Sequence, residues 1–227
     1  MWSRRAYRLP WARLSAFRCC GNETLRSSGR SNVAQLAASI KLRLLSEESC
    51  AIDCLGPEAI FRSLRAMHLA MVFARRERAI DQTLCLTPEE MSILQEAPDP
   101  EVTEARARAL LRTRLHLFLS DWQPREASND LTGERSSQLF VGRDTHVGLL
   151  AGLCAMHLKD GHEVTLCAGR DLAVARAIKA FAATQLYLQK QHLLTSSRRL
   201  AVKTVWAPSD RSGFVTKAIF TCKLLND

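Results

Sequence analysis

The chain has 227 residues, 47% hydrophobic and 24% charged, with a formal net charge of +9; this is ordinary globular composition with room for one large or two small domains. Its longest uninterrupted apolar run, residues 147–156, is ten residues, about half of the roughly 20 a bilayer-crossing helix needs, so no membrane partner is expected. The eight cysteines fall mostly in apolar stretches with no CxxC pair, and read as small buried hydrophobes in a reducing compartment.

The charge is unevenly spread. Residues 1–30 carry +6, residues 31–135 carry −3 and residues 136–227 carry +6. Residues 1–22 interleave Arg4, Arg5, Arg8, Arg13 and Arg18 with Trp2, Tyr7, Leu9, Trp11, Leu14 and Phe17, with no acid before Glu23. That is the composition of a mitochondrial targeting segment, and it predicts a matrix location; the other reading is a basic arm that binds nucleic acid or anionic lipid. A secretory signal is excluded, because an Arg interrupts every apolar stretch before it reaches the required length.

A first unit is expected over residues 23–122. Its opening strand must come from residues 23–28 (ETLRSS), and Ser31 is placed to cap a helix with Val33, Leu36, Ala37, Ile40 and Leu44 inward. Residues 50–54 (CAIDC) read as a strand, Gly56 as a turn, and Ile60, Leu64, Met67 and Met71 as the inward face of a second helix. A strand is predicted near residues 80–86 and another over residues 111–119, separated by an acidic insert, residues 88–104, that contains Pro98 and Pro100. Residues 123–137 read as a polar linker.

A second unit, residues 138–227, repeats the pattern about 114 residues on. Residues 138–143 (QLFVGR) predict a strand, and Thr145 or Asp144 caps a helix with Val147, Leu150, Ala151, Cys154 and Leu158 on one face. Residues 163–167 form a short strand, Gly169 a turn, and Val174, Ala177, Ile178, Phe181 and Ala182 the inward face of the next helix. Residues 200–206 and 214–224 alternate as two strands around APSDRSG. The order in each unit is β-α-β-α-β-β, so the fold class is α/β (α+β): two tandem units, each a four-stranded sheet with two helices.

NVAQLAASI and HVGLLAGLC, CLG and CAG, and AIFRSLRAM and AVARAIKAF are the paired segments. In them the unit resembles the bacterial stage V sporulation protein S family and, more distantly, the Alba nucleic-acid-binding proteins. Those proteins are single units that pair, so the resemblance implies a homodimer-like surface, formed here within one chain or between chains. It also implies nucleic-acid binding by basic residues at the end of the first strand, around the Gly turn and on the final hairpin. In the second unit these are Arg143, then Arg170, Arg176 and Lys179, then Lys203, Arg211 and Lys217, with Arg198 and Arg199 in a polar loop. The first unit has Arg30, Arg62, Arg65, Arg112 and Arg114, but Pro57 and Glu58 at its turn. A phosphate-binding surface needs several cations held together, so the second unit is the expected binder and the first its pairing partner.

The chain is 6% aromatic. Phe140, Phe181, Phe214 and Phe220 fall mostly on inferred core faces, and Trp206 and Tyr187 are left as candidate stackers, which favours backbone over base recognition. Six dispersed histidines, no GxSxG and no phosphate-loop motif give no catalytic signature, no metal site and no cofactor. The expectation is a mitochondrial protein that binds RNA, or DNA, through the phosphate backbone and is not an enzyme. The alternative is a structural subunit of a mitochondrial ribonucleoprotein complex, such as a ribosome or an RNA-processing assembly, acting through protein partners.

Overall fold

Both halves open with the same local device. After strand β1 (Leu25–Ser27) the Ser31 hydroxyl accepts from the Ser28 N–H at 2.9 Å, and after the corresponding strand β5 (Gln138–Val141) the Thr145 hydroxyl accepts from the Gly142 N–H at 2.8 Å. The hydroxyls close the turn, and the residue after each one caps the helix. Asn32 Oδ1 accepts from two N–H groups of α1 (Val33–Leu45), and His146 Nδ1 accepts from the Leu149 N–H of α3 (Val147–Lys159). The caps expected at Ser31 and at Thr145 or Asp144 are therefore corrected.

The computed structural model describes residues 24–46, 50–78, 80–91, 112–123, 138–195, 197–208 and 216–226. The expected targeting segment, most of the acidic insert and most of the linker lie outside them. In chain order, α1 is followed by β2 (Cys50–Cys54), α2 (Pro57–Arg78), β3 (Thr83–Met91) and β4 (Arg112–Ser120). After β5 and α3 come β6 (Val164–Ala168), α4 (Asp171–Lys190), β7 (Arg198–Pro208) and β8 (Thr216–Asn226). Pro57 starts α2 directly after Gly56, whose φ of +86° suits a residue without a Cβ.

The described strands form one eight-stranded sheet, β1-β2-β4-β3-β7-β8-β6-β5, with four helices. Two separate four-stranded sheets are the expectation from sequence. The halves instead join through β3 and β7, where Cys85 faces Lys203 and Leu86 faces Val202.

The register carries an internal two-fold. Leu25 pairs with Ile52 as Leu139 pairs with Leu166, and Ile52 faces Leu115 as Leu166 faces Phe220. Carried along β4 and β8, this makes Leu86 and Val202 matching positions, and they face each other across the seam.

Alternation along the strands sorts side chains between two faces. One face carries Ile52, Leu86, Leu115, Leu166, Val202 and Phe220 into a single core beneath the helices. Each long helix reaches across the seam, α2 to β7 and α4 to β3, and the two pack on each other. Phe61 of α2 meets Trp206 of β7 edge-on at 5.4 Å, and Phe181 of α4 meets Phe220 of β8 at 6.2 Å. Fully burying one such ring stabilises by roughly 1.5–3 kcal/mol. Trp206 is thus committed to packing and is no base-stacking candidate. Phe140, expected in the core, is 75% exposed, because its register puts it on the helix-free face beside the sheet edge.

Residues 121–123 cross that helix-free face. The Trp122 indole N–H donates to Glu163 at 3.2 Å, and Gln123 Oε1 accepts from the Thr83 hydroxyl at 3.3 Å. Residues 88–91, expected in the insert, belong to β3. Its ladder with β7 stops at Leu86, which leaves Pro88 tolerable in an interior strand.

Candidate nucleic-acid interface

β5 and β6 run parallel and end together, with Val141 beside Ala168. Past them the chain turns through exposed Arg143 and exposed Arg170, the residue that precedes α4. Ala168 faces Ala218 of β8, which puts Lys217 at the same end of the sheet. Arg143, Arg170 and Lys217 are therefore drawn together by topology from three separate segments. Asp144 and Asp171 lie at that end too, which moderates the positive field without cancelling it.

The other expected contacts separate from this group. Arg176 Nη1 donates to the Thr145 carbonyl at 2.7 Å, as Arg62 Nη1 of α2 does to the Ser31 carbonyl at 3.3 Å. These matched bonds tie each long helix to the turn before its neighbour, so Arg176 has a positioning task. Lys179 lies on the helix layer, with Nζ 4.0 Å from Glu90 Oε1. Arg198 and Arg199 open β7 rather than standing in a loop, and the Arg199 guanidinium covers the Phe118 ring at 4.5 Å to the centroid. Lys203 sits mid-sheet on the helix-free side, 3.5 Å from Gln123 Oε1. Arg211 lies outside the described residues.

The same end of the first half has different chemistry. Register puts Gly29 and Gly56 where the second half has Arg143 and Arg170, and Arg112 where it has Lys217. Arg112 donates to Asp53 at 3.0 Å, while Arg114 grips both Asp53 oxygens at 2.7 and 3.0 Å. Burial alone would raise the Asp53 pKa, but the Arg114 hydrogen bonds and charge, with Arg112 and Arg26, outweigh it and hold the carboxyl below its ordinary value. In the second half Cys167 takes the place of Asp53. Asp53 went unnoticed in the sequence; the signal was an acid inside an apolar five-residue strand.

Among the described residues no cluster of three or more His, Cys, Asp or Glu side chains is arranged to hold a metal ion. The six described cysteines are free and buried, and burial pushes Cys54, Cys85 and Cys154 up to about 12 and Cys50 to about 11. No described helix is long and apolar enough to cross a membrane. No protein-family model matches the chain, and no curated protein matches it significantly.

Proposed function

We propose that the chain is a mitochondrial protein that binds RNA, or DNA, through the phosphate backbone. In this reading it consists of two Alba-like units that pair within one chain, the second supplying the contacts and the first standing in for the partner of a dimer. The observation that carries it is the convergence of Arg143, Arg170 and Lys217 at one sheet end, with glycines and a neutralised Arg112 at the matching end. An anion-binding surface accounts for Arg143 and Arg170, since the paired half folds with glycines at those two places.

The test is binding of the full chain to a labelled single-stranded RNA over a salt series. Log affinity is expected to fall linearly as log salt rises; salt-independent binding, or none, removes the proposal.

A second reading, a structural subunit held mainly by protein contacts, draws on α3. Its outward positions Leu149, Leu153 and Met156 are exposed at 71%, 44% and 52%, where α1 has Gln35, Ser39 and Leu42. Sedimentation separates the two readings: a chain found only in a large particle supports the second, and one that sediments alone and binds RNA supports the first.

A further inference from the structure

β3 and β7 share two ladder pairs, Cys85 with Lys203 and Leu86 with Val202, and part on the Thr83 side. A cavity of about 240 Å³ opens in that fork under α2. His68 and Arg75 of α2, Lys203 of β7 and the hydroxyl residues Thr83 and Thr204 line it, with Met67 and Met71 as an apolar wall and, among the described residues, no carboxylate. The Thr204 hydroxyl is buried with no hydrogen-bond partner. The cations have long contacts to neutral oxygens, Lys203 to Gln123 Oε1 and Arg75 to the Gln82 carbonyl, both at 3.5 Å. Burial, and behind it the Arg75 charge, holds the Lys203 ammonium below its ordinary range against the opposing influence of Cys85.

The internal two-fold supplies a control. On the other side of the axis the fork is closed, because the Thr87 hydroxyl, at the position matching Lys203, donates to the Leu200 carbonyl at 2.6 Å. There α4 has Phe181, Ala182 and Gln189 where α2 has Met67, His68 and Arg75. The fold is satisfied without the cations or the space, and two like charges set side by side disfavour each other unless an anion joins them.

We propose that this cavity binds a small phosphomonoester, its phosphate held by Arg75 and Lys203 at the mouth of the fork and its organic part resting on Met67 and Met71. Guanidinium matches phosphate geometry, and thioether side chains adapt to an irregular body. The volume is below the roughly 300–1,000 Å³ typical of sites for drug-sized ligands, which suits a sugar phosphate. The site shares no residue with the sheet-end cluster, so the two stand or fall separately.

The experiment is calorimetric titration of the full chain with ribose 5-phosphate and, in parallel, ribose. Binding of the phosphate ester at least ten-fold tighter than ribose is expected. Arg75→Gln, and Met67→Phe, which copies the ring found at the matching place, should each weaken it at least ten-fold. The R75Q variant should leave the salt dependence of RNA binding unchanged. A 5′-phosphorylated oligoribonucleotide that displaces ribose 5-phosphate identifies a strand end as the source, and failure to displace it identifies a free sugar phosphate. Equal affinity for ribose and its phosphate, no binding, or R75Q binding within two-fold of the parent would overturn the assignment.

Discussion

Asp53→Asn tests the arrangement that neutralises the first half. The Asp53 side chain is 5% exposed, and its partners Arg112 and Arg114 are 12% and 22% exposed. Asn keeps the volume and one acceptor oxygen but removes the carboxylate charge that the Arg112 and Arg114 guanidinium groups share. Removing one partner of a buried ion pair costs about 3–5 kcal/mol; water reaching Arg114 screens part of that, so about 3 kcal/mol is expected. With a denaturant slope of roughly 3 kcal/mol/M for a chain of this size, the urea midpoint should fall by about 1 M. The pH dependence follows from the depressed carboxyl pKa in the folded chain. Its contribution is present above the unfolded value of about 3.9 and is lost as pH falls through the folded value. The stability gap between parent and variant should therefore be constant from pH 7 to about pH 5 and close below about pH 4. A gap under 1 kcal/mol at pH 7, or one that persists undiminished at pH 2, would refute the account of Asp53 as a buried counter-ion.

Replacing Arg143, Arg170 and Lys217 together by Gln should reduce the slope of log affinity against log salt for single-stranded RNA by about 2, at roughly 0.7 per phosphate contact; fluorescence anisotropy at several salt concentrations reads it, and an unchanged slope places the RNA elsewhere. Thr87→Val removes the 2.6 Å bond from one half to the Leu200 carbonyl of the other and should lower stability by about 1–2 kcal/mol in chemical denaturation. The buried thiols, Cys54, Cys85 and Cys154 among them at about 12, should resist alkylation at pH 8 in the native chain and react promptly in urea. Mass spectrometry after an iodoacetamide pulse gives the answer residue by residue.

Much of the architecture was legible because helical periodicity survives in both halves. α1 and α3 span Val33–Leu45 and Val147–Lys159, 114 residues apart, and the 3.6-residue repeat selects most of their buried residues, missing Arg43 and Ala155. The caps expected at Ser31 and Thr145 were misplaced by one residue, and the alternative Asp144 by two, because a hydroxyl before a helix can close the turn as readily as cap the first turn, and only geometry separates the two. β3 was placed too early because Pro88, Glu89 and Glu90 carry loop chemistry; partnering by β4 over the full strand overrides that local preference. The merging of two sheets into one left no trace in side-chain pattern, since the seam is made by backbone groups of β3 and β7.

At the candidate interface, the second half's surplus of cations was readable and their grouping was not. Arg143, Arg170 and Lys217 converge because β5, β6 and β8 share an end. Arg176 looks like any surface arginine until its bond to the Thr145 carbonyl is seen. Asp53 decides the charge of the first half through partners some sixty positions away, a separation that no local reading of the chain spans.

The central seam also bears on solubility. Cut apart, each half would end in a long strand with its hydrogen-bonding side bare: nine residues of β3 in one, eleven of β7 in the other. Joined, the sheet terminates in β1 and β5, three and four residues long, and such short borders give another chain little template for growth. Either half expressed alone should therefore self-associate through β3 or β7, and the intact chain should not.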